Sequence, residues 1–524
     1  MNESLALLYT TFSSFLAPVG GIFGALILAG LLYVAGTAIY NRYFHPLRHI
    51  PGPLFSSMFS GLAQYASIMQ NSTDVWLELH EKYGPVVRVE PDIVSFCDTN
   101  AMRTIYSTHA FAKSPQYTSF DIDKVHQTFS TIDVDVSKKR KRMLSPSFGA
   151  PNIAKMEELI HEVGPKMMAD RLHRQYGMQS DAFMTVDLLN VFFESTFGVI
   201  GRMAFGKQMI HLEDDDTSEL RTVQLMKSID KGMLWQFMLP RWSWDIARDV
   251  FGIKELVDFK ELVNYTHSSI NERNRLLESG EKVESDLLQL MMDAVDPETG
   301  DMFTNSQLAS DLLILCFAGV DTSSNTLTWT FDQLFQYPEV MAKLEAEVLE
   351  AFPDRNERIT YKAARERLPY LDAVLTESMR IRAVAGEILT RVVPEGGRQI
   401  GSVFVPGGYE VGVPAHVMHN YSQYWDSPEI FKPERFLEGT PEEIAARRQL
   451  VTPFSIGVRS CIGRQLAMVE MVVGLATIIQ HFEIKPAQVP YVAQKAQSGF
   501  VVSPASRCLM ANIRPRPSTQ STFV

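Results

Sequence analysis

Cysteine is scarce in this chain. Four residues, Cys97, Cys316, Cys461 and Cys508, are scattered along 524 positions with no paired spacing. That argues against a disulfide framework or a zinc site and for a reducing compartment. Excess positive charge is lacking too: the formal net charge is −12, so nothing in the composition points to nucleic acid. Repeats and low-complexity domains are missing as well. What is there is apolar: 46% hydrophobic against 21% charged residues, enough to bury a large core.

The longest uncharged apolar run stands near the N-terminus. Val19 to Ile39 carries no charge and, beside the aromatic Tyr33, one small hydroxyl residue, Thr37. About 21 helical residues at ~1.5 Å each span the hydrocarbon core of ~30 Å. Glu3 precedes the run, while Arg42 and Arg48 follow it. A cleavable signal would have a basic leader, and basic residues after the span place the body in the cytoplasm. The expected layout is a lumenal N-terminus over 1–18 and a transmembrane signal anchor over 19–40. An aromatic, basic and proline-rich hinge follows over 41–53, stiffened by Pro46, Pro51 and Pro53.

Beyond the hinge, one body over 54–513 and a disordered tail over 514–524 are expected. Thr73-Asp74 opens a helix running to Gly84, and Val86–Val89 and Ile93–Phe96 read as short strands about a Pro91-Asp92 turn. Helical periodicity dominates from 150 to 350, with acidic loops such as Glu213–Asp216, and strand signals return at Gln399–Val413. The fold class is mainly α with a small β component.

The chemistry concentrates in Phe454-Ser455-Ile456-Gly457-Val458-Arg459-Ser460-Cys461-Ile462-Gly463, just before an apolar helix over Gln465–Ile479. A thiol at a helix start meets unpaired N–H groups and the positive dipole end, which favour thiolate, the form that binds metal. Gly457 and Gly463 leave space for close approach of a flat ligand. Arg459 supplies a cation for a carboxylate on that ligand. A second candidate is Gln307–Phe331, a long apolar helix with a polar notch, Ala318-Gly319-Val320-Asp321-Thr322-Ser323. Gly319 would let a flat ligand approach, and a hydroxyl there can open the helix ladder. Asp321 and Thr322 could relay protons.

These strings resemble the cytochrome P450 family. The first fills every position of Phe-x-x-Gly-x-Arg-x-Cys-x-Gly, and the second fits Ala/Gly-Gly-x-Asp/Glu-Thr-Thr/Ser. Glu377-Ser378-Met379-Arg380 and Pro433-Glu434-Arg435-Phe436 resemble the family's Glu-x-x-Arg and Pro-Glu-Arg-Phe motifs. The resemblance covers nearly the whole chain and looks most like fungal microsomal members of secondary metabolism. It implies a single cytochrome P450 catalytic domain holding a haem of the b type (heme b, iron protoporphyrin IX). By that resemblance Cys461 is the axial thiolate, and Phe454, Gly457 and Gly463 shape the haem loop. Thr322 and Asp321 deliver protons during oxygen activation, and Arg391 and Arg459 hold the propionates. Glu377, Arg380 and Arg435 form a buried structural network.

Two segments depart from the pattern. In Ser137-Lys138-Lys139-Arg140-Lys141-Arg142, Ser137 stands where Trp or His is usual, and Lys141 where Arg is. Lysine lacks the planar fork, so Lys141 as a propionate contact, a solvated face and a docking patch for an acidic redox partner all stand open. After Arg380, Ala383–Leu389 replaces a proline-containing stretch that lines the substrate pocket in relatives. Glu387 there is either a polar contact or, the favoured reading, turned to solvent. Tyr117–Thr131 and Ser498-Gly499-Phe500 are further pocket candidates, and Met233–Leu239 is apolar enough to dip into a membrane.

The expected activity is a haem-thiolate monooxygenase that inserts one oxygen atom from O2 into a lipophilic small molecule. No flavin or NAD domain is present, and the 63 residues after Cys461 fall short of the 100 or so a typical domain needs. NADPH-cytochrome P450 reductase is therefore the expected electron donor, with cytochrome b5 as a second candidate. Endoplasmic-reticulum anchoring by a single pass goes with it. The rivals are a haem-thiolate isomerase or dehydratase that uses no O2, and a non-catalytic haem-binding protein.

Overall fold

The structure, a computed structural model, describes residues 24–62, 65–66, 69, 71–177, 182–209, 211, 220–499 and 501–517. Residues 1–23, the acidic loop 213–216, Phe500 and 518–524 lie outside the described residues. Helices build most of the body, with small sheets at its edges.

The first described helix, α1 (Gly24–Tyr43), is long and apolar enough to cross a membrane, and almost none of it is covered by the rest of the chain. The hinge after it is docked rather than free. Leu47 and Ile50 are buried, and Pro51 O accepts a hydrogen bond from Arg88 N at 2.7 Å. A Cβ on Gly52 would lie 2.2 Å from Arg88 O, so only glycine allows this approach.

Next come α2 (Ser72–Tyr83), β1 (Val86–Glu90), β2 (Ile93–Phe96), α3 (Thr99–Tyr106) and β3 (Ala112–Lys113). With β5 (Arg391–Val392) and β6 (Glu410–Gly412) the strands form one sheet, ordered β1-β2-β6-β5-β3. Its pairs are antiparallel except β2 with β6. Side chains from this sheet, including Val87, Val94, Phe96 and Val411, bury into a core of their own. β4 (Met184–Asp187), β7 (Phe482–Pro486) and β8 (Met510–Pro515) form a second antiparallel sheet. Arg514 and Pro515, expected in a disordered tail, instead pair with Glu483 and Phe482.

The helical part centres on α8 (Asn305–Gln336), five residues longer at its C-terminal end than the sequence predicts. Thr304 caps it, with Gln307 completing a capping box. α8 packs on α5 (Leu188–Phe205), also long and apolar but mostly buried. α4 (Val134–Leu144) carries the basic run, and α6 (Arg221–Met238) packs against α7 (Lys254–Glu278). α9 (Pro369–Ile381) and α10 (Arg464–His481) complete the frame, α10 overrunning its expected limits at both ends.

Candidate haem and substrate site

A deep cavity of about 590 Å³ lies between α8, α10, α4 and the first sheet. Its wall is largely apolar, and Cys461, Arg459, Phe454, Gly463, Lys141 and Thr322 all reach it. A smaller cleft of about 200 Å³, between residues 163–175 and 185–195, holds none of these.

Cys461 precedes α10 by three residues. Its backbone N donates to Phe454 O at 2.9 Å, closing the loop. The thiol is open to the cavity but walled in by protein elsewhere. Burial raises its pKa, and the Gly463 and Arg464 N–H groups and the nearby Lys141 pull it back only in part. A helix start by itself supplies only those favourable contacts. In the chain without a metal, desolvation outweighs them.

The two loop glycines differ in use. Gly463 has nothing closer to a Cβ than Cys461 Sγ at 3.9 Å, so it keeps the cavity floor open. Gly457 does not reach the cavity: at φ +71°, its Cβ would sit 2.2 Å from Tyr106 O. It serves the packing of the loop on α3, not approach of a ligand.

Four cations gather along one side. Arg459 Nη1 donates to Ser137 Oγ at 2.9 Å, while its Nε and Nη2 are buried with no partner. Burial, then the neighbouring Arg391, pull its pKa down to about 10. Lys141 donates to Val458 O at 2.7 Å and Ser460 O at 3.4 Å, binding α4 to the cysteine loop. Lys113 Nζ donates to Phe129 O at 2.6 Å and Thr128 O at 3.2 Å. Burial holds its pKa well below the usual range, and Arg391, Arg459 and Lys141 add repulsion. Arg391 stands one layer behind the wall, donating to Tyr117 Oη at 3.1 Å and to the carbonyls of Leu389 and Thr390. Among the described residues none of the four forms a salt bridge with a carboxylate. Buried and half-buried cations without a carboxylate partner, three of them facing a cavity with a thiol on its floor, fit a flat ligand that carries carboxylates. Lys113 was not foreseen, because a lone lysine at a strand end carries no motif.

The rest of the basic run is engaged elsewhere. Arg140 pairs with the buried Asp311, Lys138 with Asp135, Lys139 with Asp301, and Arg142 with Asp296 and Glu298. Little of its charge is left uncompensated.

On α8, Thr322 Oγ1 donates to Ala318 O at 2.6 Å and lines the cavity; Asp321 does not line it. Ser324, Thr326, Thr328 and Thr330 make the same bond one turn back. The helix nevertheless stays α throughout, so these hydroxyls decorate the ladder without opening it. Gly319 borders the cavity, yet its Cβ would meet Ile200 Cδ1 at 2.7 Å. Close packing of α5 on α8 is a reason for glycine that the sequence did not disclose.

Glu377 and Arg380 are fully buried, not surface decoration. Arg380 grips Glu377 with two bonds, 2.7 and 2.9 Å, and also binds His419 O and Pro428 O. Arg435 reaches Glu377 at 3.2 Å and holds the carbonyls of Asp426 and Ser427. His419 Nε2 in turn accepts from Thr452 N at 2.7 Å, connecting the network to the start of the cysteine loop.

Glu387 corrects the sequence reading. It does not face solvent: it lines the cavity, with Ser72 Oγ donating to one oxygen and Trp76 Nε1 to the other at 2.8 Å. Both partners are more than 300 positions away in sequence. The other pocket candidates contribute Tyr117, Phe120, Phe129 and Gly499. Within Met233–Leu239, Met233, Leu234 and Phe237 line the cavity while Met238 is exposed.

The cytochrome P450 profile matches residues 50–509, and the chain belongs to that family. Cytochrome P450 monooxygenase lcsI of Purpureocillium lilacinum is 29% identical over 479 residues, 88% of each chain. Cytochrome P450 monooxygenase atr2 of Stereocaulon alpinum is 28% identical, over 90% of this chain and 92% of the relative. Averantin hydroxylase of Dothistroma septosporum is 29% identical, over 90% and 88%. The fold is the cytochrome P450 fold, and the family makes this an oxygen-incorporating oxidoreductase with cysteine-ligated haem.

Proposed function

We propose that the chain is a membrane-anchored monooxygenase that binds haem b through Cys461 and inserts one oxygen atom from O2 into a lipophilic small molecule, an intermediate of fungal secondary metabolism. One observation carries this reading: a thiol and a guanidinium with two unsatisfied donors face the same apolar cavity. When bound, a thiolate-ligated haem supplies the electron push that cleaves O–O bonds.

The chain's residues do the rest. Arg459 and Lys113 offer charge-assisted donors to the propionates, while Arg391 braces Tyr117 from behind. Lys141 fixes the carbonyls on either side of Arg459, and so the reach of that side chain. Thr322 can turn its hydroxyl from Ala318 O towards the cavity and pass on a proton, with Asp321, next in sequence and off the cavity wall, as its source. Phe120, Phe129, Ile314 and Leu466 exclude water and favour an apolar substrate. Electrons come from NADPH through a separate cytochrome P450 reductase, with cytochrome b5 as auxiliary donor. α1 holds the body on the cytoplasmic side of the endoplasmic reticulum, supported by its length and its exposed apolar surface.

The test is the reduced, carbon-monoxide-bound difference spectrum beside Cys461→Ala. The red-shifted Soret band of thiolate-ligated haem is expected in the parent and lost in the variant. Its absence from a well-folded, haem-loaded parent would overturn the ligand assignment. Turnover under heavy dioxygen should then label the product; unlabelled product would exclude oxygen insertion.

A further inference from the structure

Glu90, Glu387 and Glu470 all line the cavity, and Glu387 is held there by two side-chain donors from a distant helix, Ser72 and Trp76. It sits in the loop after α9, on an otherwise apolar stretch with Ala385, Ile388 and Leu389. Burial pushes its pKa up, and the Ser72 and Trp76 hydrogen bonds offset this only in part; no cation helps. A carboxylate offers about four acceptor positions, and the donors found here fill two. Leaving such a group in an apolar cavity is costly unless something else completes its hydrogen bonding.

The loop is also held without it, by a bond from residues 415–420 and by close packing on α2. His416 N already donates to Gly386 O at 3.2 Å, and a Cβ on Gly386 would meet Thr73 and His416 at 2.9 Å, so backbone and helix are in contact there. Thr73 and Ser498 hydroxyls bond at 2.7 Å beside it. What Ser72 and Trp76 add is aim: placed one turn apart on α2, they hold both oxygens and fix the side chain at the wall.

Resting on the function above, we propose that Glu387 anchors the substrate, which is therefore a lipophilic molecule carrying a hydrogen-bond donor, a hydroxyl or a protonated amine. The carboxylate accepts that donor on a face left open by Ser72 and Trp76. Binding orients the molecule relative to Cys461, which lines the same cavity. Glu387 is in this sense a specificity residue, apart from the proton-handling groups.

The test uses full-length protein and three probes of one shape: 1-methyladamantane, 1-adamantanol and 1-adamantylamine, bound by equilibrium dialysis. In Glu387→Gln the amide oxygen can accept from Trp76 and the amide N–H can donate to Ser72, so the loop stays tied while the carboxylate is gone. Affinity for the alcohol or the amine should fall about ten-fold, the scale of a hydrogen bond to a charged group, with methyladamantane unchanged. Equal losses for both identify a neutral donor, and a loss confined to the amine identifies a cationic one. Ser72→Ala, which loosens the tie and spares the carboxylate, should keep the preference. Unchanged probe ratios in Glu387→Gln, or the same change in Ser72→Ala, would overturn the proposal. Dialysis needs no turnover, so failure of the carbon-monoxide test would not be mistaken for failure here.

Discussion

Two groups of buried arginines flank the cysteine loop and are built in opposite ways. Around Glu377 every guanidinium nitrogen has an acceptor: Arg380 and Arg435 share one carboxylate, and carbonyls take their remaining N–H groups. Around Arg459 charge accumulates without an answer, with Arg391, Lys113 and Lys141 close by and two guanidinium nitrogens orphaned. The same residue type serves as a finished strut in one place and as an open socket in the other. Saturated buried charge marks structure, and unsaturated buried charge marks a ligand.

That contrast breaks if the first group can be dismantled without harm. Arg380→Ala strips Glu377 of its main partner inside the core. The expected cost is about 3–5 kcal/mol, as for other broken buried pairs, read by denaturant unfolding of the haem-free chain. The second group should behave in reverse. Arg459→Met removes two unsatisfied donors, so the haem-free chain should keep its stability within about 1 kcal/mol or gain slightly. Haem loss to a scavenging apoprotein should accelerate about ten-fold, since a charge-assisted contact is gone. A large stability loss in Arg459→Met would show that both groups are structural.

The same contrast separates what the sequence discloses from what it hides. Cys461, Arg459, Thr322 and the Glu377-Arg380 pair sit in short strings whose spacing fixes their local geometry, so their neighbourhood is readable from the sequence. Glu387 and Lys113 take their meaning from partners brought in by the fold: Ser72 and Trp76 for one, the Phe129 carbonyl and three cations for the other. No local pattern could announce them. Glycines misled for a related reason. Gly457 and Gly319 were readable as glycines with a use, but the close neighbours, Tyr106 O and Ile200, belong to distant segments. Element ends drifted because packing extends a helix past where its pattern fades, as at His481.

Glu470 lies between the two extremes and sharpens the rule. It is buried on α10 with one partner, Ser323 Oγ at 3.1 Å, and its other oxygen is orphaned. Burial outweighs that hydrogen bond and lifts its pKa from 4.5 to about 8. Below about pH 4.5 the group is protonated in both folded and unfolded chains and costs nothing. Between about 4.5 and 8 the unfolded chain releases the proton while the folded chain keeps it, so stability drains away as pH rises. Glu470→Gln keeps a hydrogen bond to Ser323 and cannot ionise. Its melting temperature should match the parent near pH 4.5 and exceed it near pH 8. The difference between 4.5 and about 8 sets the gain at no more than about 4–5 kcal/mol near pH 8, a few degrees in a domain of this size. Parallel melting profiles for the two proteins would mean that Glu470 ionises freely where it stands, and that a single orphaned oxygen does not mark an incomplete site.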